Sequence, residues 1–317
     1  MHIGLDIMGG DFAPAAALEG LALACREVGD DIGLTLIGES QIIRDFLAKK
    51  GLPESRFNIV HTSQVIEMGE SPTKAIGKQD TSIMTGLRML KTGEIDAFLS
   101  AGNTGAVYVG ALYTVKAIEG VLRPAMPSLV PKEHGGLGLI LDVGANADCK
   151  PDVLLQFGVL GAIYCKSILG ISNPKVGLLN IGSEPEKGNI LTQAAYPMFV
   201  ASDRFDFIGN VEGYDLFSDK VDVIVCDGFT GNVLLKTAET IIEIVKKRKG
   251  SDEFLDRFDY QNYGGLPILG VNKPVIIGHG VSSPEAFSQM IQLGVQLVNS
   301  NMIEKIKQAA MEPSNIQ

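Results

Sequence analysis

At 317 residues, 45% hydrophobic and 20% charged, the chain has an ordinary globular balance and enough length for one large domain or two small ones. A formal net charge of −10 leaves the chain as a whole without the basic footprint of a nucleic-acid binder, so no nucleic-acid partner is expected, although a local basic patch stays open. The four cysteines (Cys25, Cys149, Cys165, Cys226) stand far apart, with no CxxC pair and no histidine at ligand spacing, which favours reduced thiols over a disulfide or a zinc site.

The chain opens on a strand-like stretch, Met1 to Ile7, with no charged leader region before it. Strand-like apolar runs follow at His2–Asp6, Leu34–Ile37, Phe57–His61, Ala97–Leu99, Gly138–Asp142, Lys175–Asn180, Phe205–Ile208, Val221–Cys226 and Pro274–Ile277. Several are continuously apolar rather than alternating, the pattern of strands covered on both faces. Helical patterns run at Ala13–Val28, Gln41–Lys49, Thr81–Leu90, Thr104–Ile118, Asp152–Ile168, Asn232–Lys247 and Pro284–Val298. The alternation predicts a layered α/β fold with a mainly parallel sheet. Too few residues separate Phe205–Ile208 from Val221–Cys226 for a full helical crossover, so antiparallel or irregular pairing is expected there. No linker breaks the chain, and the reading is one compact unit over 1–317, with room for two lobes. The longest uncharged run, 101–115, is too short and too polar to span a bilayer. The expected location is cytoplasmic, with peripheral membrane contact left open.

The 37 glycines gather where apolar runs end, so neither collagen nor a flexible linker is indicated. The first strand is followed by Asp6, Met8, Gly9, Gly10 and Asp11. Later ones are followed by Gly102-Asn103-Thr104-Gly105, by Asp142 to Asn146 and Asp148, by Asn180 to Glu184 leading to Lys187-Gly188-Asn189, and by Gly209 to Gly213. The last two loops are Asp227-Gly228-Phe229-Thr230-Gly231-Asn232 and His279-Gly280. Carboxyl ends of parallel strands share one edge of an open sheet, where ligands bind, so seven loops are expected to converge there. Glycines admit close backbone approach, and the loops ending in Thr104-Gly105 and Gly231-Asn232 open into helices whose first N–H groups suit an oxyanion. Any one Gly-Asn pair is equally an ordinary turn or cap; seven in register point to a phosphate site. GxxxxGK[ST], GxSxG and HExxH are all absent, and Gly135-Gly136-Leu137-Gly138 precedes a strand rather than following one. No cofactor, metal or built-in nucleophile is expected, as suits a reaction in which phosphate itself attacks.

These segments, with Cys226 to Asn232, Tyr263-Gly264-Gly265 and His279-Gly280, run in order over nearly the whole chain and resemble the PlsX-type phosphate acyltransferases. The resemblance implies a Rossmann-like fold related to isopropylmalate dehydrogenases and phosphotransacetylases, and a homodimer. It implies transfer of a fatty acyl group from acyl carrier protein to inorganic phosphate, giving acyl phosphate for phospholipid synthesis, with a membrane acyltransferase acting next. It also suggests Lys187 as the cation at the phosphate or transition state and Asn232 as an orienting donor, with His279 a third candidate. Asp6, Gly9, Gly10, Asp11, Gly102, Asn103, Thr104, Gly105, Asn146, Thr230 and Gly231 are expected around phosphate and acyl group. Two departures stand out. The family often carries an arginine where this chain has Gly77, and between Lys249 and Tyr263 a longer apolar insertion is replaced by a short acidic segment. The rival readings are a phosphotransacetylase-like enzyme for small acyl-CoA, a decarboxylating dehydrogenase using Asp142, Asp148 and Asp227 for a metal, and a non-catalytic ligand-binding protein.

Overall fold

The structure is a computed structural model that describes residues 1–29 and 31–311. In chain order the first elements are β1 (His2–Asp6), α1 (Ala15–Ala24), β2 (Gly33–Gly38), α2 (Ser40–Lys50), β3 (Phe57–His61), α3 (Pro72–Ala75), α4 (Ser82–Thr92), β4 (Ala97–Ser100) and α5 (Thr104–Thr114). Next come β5 (Pro127–Pro131), β6 (Leu137–Leu141), α6 (Pro151–Ser167), β7 (Lys175–Leu179), α7 (Ile190–Ala201), β8 (Asp206–Val211), β9 (Val223–Val225), α8 (Gly228–Lys249) and α9 (Glu253–Asp256). Last are β10 (Leu266–Pro267), β11 (Val275–Ile277), α10 (Pro284–Asn299) and α11 (Met302–Met311). Among the described residues they form two compact units, Met1–Lys116 with Tyr260–Asn299, and Ala117–Asp259 with 300–311.

The first unit holds a six-stranded sheet of order β10-β11-β4-β1-β2-β3, parallel except where the two-residue β10 runs against β11. The continuous apolar runs are buried as expected. Every residue of β4 and β11 is buried, as are Ile3 and Leu5 of β1. Sinking side chains such as Phe98 and Phe287 contributes about 1.5–3 kcal/mol each relative to leaving them exposed.

The second unit holds a five-stranded sheet of order β5-β6-β9-β7-β8, parallel except for β5 against β6. The antiparallel pairing expected between 205–208 and 221–226 does not occur. Those strands, β8 and β9, lie on opposite sides of β7 and both run parallel to it, and the irregularity falls between β7 and β8, where the register shifts. Gly209 to Val211, read as a strand-end loop, is the second half of β8, and its bulge accommodates Gly209 at φ +96°. The strand-end loops therefore belong to two sheets, each with its own carboxyl edge, and not to one.

Asp222 ties three strands of the second sheet together. Its backbone carbonyl accepts from Leu139 N at 2.8 Å, its N–H donates to Lys175 O at 2.8 Å, and its carboxylate accepts from Lys175 N at 2.8 Å. The other carboxylate oxygen pairs with Lys132 Nζ, and both side chains are nearly buried.

Polar residues at strand ends start the helices that follow. Asn103, Asn189 and Asp227 each cap the next helix by accepting from a backbone N–H three residues on, Ala106 at 2.9 Å, Thr192 at 2.9 Å and Thr230 at 2.8 Å. Part of the Asn- and Asp-rich pattern is thus helix capping. No helix among the described residues is long and apolar enough to cross a membrane.

Candidate active site

In the first unit β11, β4 and β1 are neighbours and parallel, so the loops after them share one edge. Asp6, at the end of β1, is fully buried. Its carboxylate accepts from Met8 N at 2.9 Å and Ser100 Oγ at 2.7 Å, and also from Ser82 and the Gly9 N–H. Burial pushes this carboxyl up from the usual range while those hydrogen bonds pull it back. Asp6 therefore braces Gly9 and Ser100, and Ser100 Oγ in turn accepts from Gly102 N at 3.0 Å.

Asp11 is exposed, and its N–H donates to Gly280 O at 2.7 Å, joining the first and last loops of this edge. Gly10 lies beneath that joint with its carbonyl accepting from Ala13 N at 3.3 Å. Asn103 is 6% exposed and its amide is spent on the chain. Besides capping α5, its Nδ2 donates to the carbonyls of Glu67, Met68 and Glu70 at 2.9–3.1 Å. Thr104 is exposed at the first turn of α5, and Gly105 lies against Pro72. His279 is exposed, with Nδ1 accepting from Val281 N at 3.4 Å and its carbonyl accepting from Ser282 Oγ at 2.6 Å.

In the second unit β6, β9 and β7 are adjacent and parallel, which brings the loops after them to one edge. Asp142 is fully buried after β6. One oxygen accepts from Met126 N at 2.7 Å, the other from Asn146 N at 2.5 Å and Asn146 Nδ2 at 3.2 Å. Burial again raises its pKa against these bonds. Asn146 is itself buried, donating to Pro124 O at 2.8 Å and accepting from Gly228 N at 2.8 Å. The start of α8 sits directly on this loop. A Cβ at Gly228 would lie 2.5 Å from Asp142 Oδ2, and one at Gly231 would overlap Asp142 O, so only glycine fits at either place. Asp227 fixes the first turn from the other side, accepting from Thr230 N and from Thr230 Oγ1, both at 2.8 Å.

Thr230 is exposed on that first turn and Asn232 at the start of the second, and the Asn232 amide lies alongside Gly144. A helix start held this way offers its dipole to an anion, although the N–H groups of Gly228, Thr230 and Gly231 are already bonded to Asn146 O, Asp227 Oδ1 and Asp227 O. On the next strand, the loop after β7 is closed by Asn180, whose Nδ2 donates to Lys187 O at 3.0 Å. Gly188 takes φ +105°, a conformation that L side chains rarely adopt, and so turns the chain into α7. Lys187 is exposed, its stem passes over Gly182, and among the described residues it makes no salt bridge. A cation without a salt bridge among the described residues, on the loop of the strand next to β9, has the charge to neutralise phosphate or a developing oxyanion.

The structure thus groups Asp6, Gly9, Gly10, Asp11, Gly102, Asn103, Thr104, Gly105 and His279 on one edge, and Asn146, Lys187, Thr230, Gly231 and Asn232 on the other. The braces are Ser82 and Ser100, to which sequence reasoning gave no role, and Asp142 and Asp227, which it offered only as metal ligands in a rival reading. Only Asp227 left a readable signal, an acidic residue three before Thr230 at the head of a helix pattern. Among the described residues no three His, Cys, Asp or Glu side chains gather as a metal set.

The family of fatty acid synthesis proteins matches this chain over residues 1–250 and 248–305. A phosphate acyltransferase of Desulforudis audaxviator (strain MP104C) is 40% identical over 327 residues, covering 96% of this chain and 95% of its own. One from Desulfitobacterium hafniense (strain DSM 10664 / DCB-2) is 42% identical over 328 residues, covering 97% of each. Among solved structures, a phosphotransacetylase of Streptococcus pyogenes superposes with a TM-score of 0.69 at 17% identity, over 94% of each chain. The EutD phosphotransacetylase of Staphylococcus aureus gives 0.64 at 16%, again over 94% of each. These two likenesses show the fold.

Proposed function

We infer the finer reaction of this chain, which belongs to the phosphate acyltransferase family and is an acyltransferase that uses phosphate as acceptor. The finer reading is that the acyl donor is a fatty acyl thioester of acyl carrier protein and that the acyl phosphate product feeds phospholipid synthesis through a membrane acyltransferase. A phosphate oxygen attacks the thioester carbonyl, the C–S bond breaks, and the thiolate leaves. A thiol of pKa about 8.5 is a good enough leaving group to need little acid help. The observation that carries the reading is the glycine-seated start of α8, with Thr230 and Asn232 exposed, next to the strand that carries Lys187. Lys187 then neutralises charge and Asn232 orients the phosphate, both by preorganised electrostatics. Measuring phosphate-dependent thiol release with acyl carrier protein and CoA donors side by side tests the reaction and the donor together. Equal or better use of short acyl-CoA would favour the phosphotransacetylase-like alternative.

With phosphate as nucleophile the route is a ternary complex without an acyl-enzyme. The thiols support this. Burial pushes Cys149 up to about 11 and Cys165 up to about 12, and holds Cys226 well above its ordinary value, so all three stay protonated near neutral pH. Incubation with acyl donor and no phosphate is expected to leave the protein mass unchanged. A stable gain of one acyl group would overturn the direct route.

A homodimer belongs to the same reading. Supporting it, α8 buries only Gly228 and Gly231 and leaves Phe229, Val233, Ile241 and Ile244 exposed, while Leu234, Leu235 and Ala238 pack against the core. The helix ends in the basic run Lys246 to Lys249, where cations complement its carbonyl end. Lys246, half-buried, lies 3.6 Å from the exposed Asp256, and Lys247 lies 3.4 Å from Glu243 in an exposed pair that holds little charge back. Acyl carrier protein is strongly acidic, and complementary charge mainly raises association rates. Charge reversal at Lys246, Lys247 and Lys249 is expected to raise KM for acyl carrier protein at low salt, leave kcat largely unchanged, and lose its effect as salt rises. An unchanged KM at low salt would return the run to a plain helix terminus.

A further inference from the structure

The loop after β7, residues 181–189, carries Lys187, and four of its backbone carbonyls accept from side-chain amides of three residues in the second unit. Asn180, following β7, donates from Nδ2 to Lys187 O at 3.0 Å, while its Oδ1 accepts from Ile181 N at 2.9 Å. Gln193, on α7, donates from Nε2 to Glu186 O at 2.9 Å and to Gly188 O at 3.1 Å. Asn210, on β8, donates from Nδ2 to Glu184 O at 2.8 Å, and the same carbonyl accepts from Lys187 N at 3.1 Å. Surface loops ordinarily leave their carbonyls to water and are the more mobile for it, whereas each of these bonds fixes one more point of the chain. The fit is close as well, since a Cβ at Gly188 would overlap Asn180 and Thr192.

Asn210 makes its bond at a cost to the fold. Val176 pairs with Phe207 and Leu178 with Asn210, so β8 takes three steps where β7 takes two and holds one extra residue. An extra residue reverses the face to which later side chains point, and Asn210 is thereby turned to Glu184. Asn210 is 3% exposed, and its Oδ1 has no hydrogen-bond partner among the described residues. A buried acceptor without a donor destabilises the folded state. Turning the amide over would set oxygen against Glu184 O, so the amide keeps the orientation that serves the loop. We propose that Asn180, Gln193 and Asn210 are positioning residues, which hold the loop so that the Lys187 ammonium is fixed in place before phosphate reacts. A charge already in place needs no reorganisation as the transition state forms. The proposal rests on the reading of Lys187 as the charge-neutralising cation and goes beyond it in naming what fixes that cation.

Asn210→Leu keeps the branching of the side chain and removes both the donor and the unpaired acceptor, while Glu184 O retains its bond from Lys187 N. Gln193→Met keeps the length of an exposed side chain and removes its donor. Each variant is expected to lower kcat about tenfold, the scale of a small misplacement of a reacting group. Thermal stability is expected to hold in Gln193→Met and to hold or rise in Asn210→Leu. Hydrogen exchange at Lys187 N–H, followed by NMR, is expected to quicken about fivefold while the N–H groups of β7 and β9 exchange as before. In a Lys187→Ala background the same two substitutions are expected to change kcat by less than about twofold, because residues that act through one group lose their effect with it. A kcat within about twofold of the unaltered protein in both single variants would overturn the proposal. So would an equal fall in the Lys187→Ala background, or a fall in kcat matched by a loss of thermal stability in both variants, which would make the amides support of the fold alone. If Lys187→Ala itself turns over normally, the Lys187 reading fails. Exchange at Lys187 N–H then still decides whether the amides hold the loop.

Discussion

Replacing Lys187 or Asn232 by alanine is expected to lower kcat by roughly a hundredfold or more while leaving stability almost untouched. Both side chains are exposed and pack into no core, so their removal falls among surface changes worth within about 0.5 kcal/mol. On the proposed reading the loss comes from the transition state: Lys187 would supply charge where charge develops, on a loop closed by the Asn180 bond, and Asn232 would act from a helix start held by Gly228 and Gly231 seated on Asp142 and Asn146. Steady-state kinetics with phosphate varied, alongside thermal unfolding, separates the two effects. Turnover within threefold of the unaltered protein would remove that residue from the site, and a fall in kcat accompanied by an equal loss of fold would make its role structural.

The second large effect is on stability. Lys132→Met leaves the Asp222 carboxylate buried without its counter-ion at the point where β6, β9 and β7 are tied together. Removing one partner of a buried pair typically costs about 3–5 kcal/mol, far more than the pair itself contributes. The double variant Lys132→Met with Asp222→Asn is expected to recover much of the loss, because an asparagine oxygen can still accept from Lys175 N while carrying no charge. Urea unfolding followed by circular dichroism reads both. A single variant within 1 kcal/mol of the unaltered protein would show that the carboxylate is not held by the lysine.

The elements legible in the sequence were those whose burial is two-sided, such as β4 and β9, where an unbroken apolar run admits few other readings. β5 was not legible because prolines stand at both its ends, a pattern that suits an antiparallel edge strand and equally a loop. α7 was hidden by Pro197 in its interior and by exposed Ile190 and Val200, which blur any apolar face. The placing of 205–208 against 221–226 failed because sequence distance says nothing of a third strand lying between two others. At the site, glycines pointed to close backbone approach, and Gly228 and Gly231 show it. Residue type alone could not tell which polar side chains face outward. Asn103 and Asn232 both head helices after glycine loops, yet one amide is consumed by three carbonyls and a cap while the other is exposed.

The first sheet is discontinuous in the chain, and this has a consequence for synthesis. β4 emerges with residue 100, but its neighbour β11 begins at residue 275, and α10, which lies on α1, follows later still. At about 5–20 residues per second, the open side of β4 and the uncovered face of α1 wait on the order of ten to thirty-five seconds on the ribosome. An unpaired strand edge with three apolar residues in a row invites pairing with other chains during that interval. Newborn copies of this protein thus pass through a stage in which half a domain is complete in sequence and unfinished in structure, the stage at which chaperone dependence and translation speed weigh most on yield.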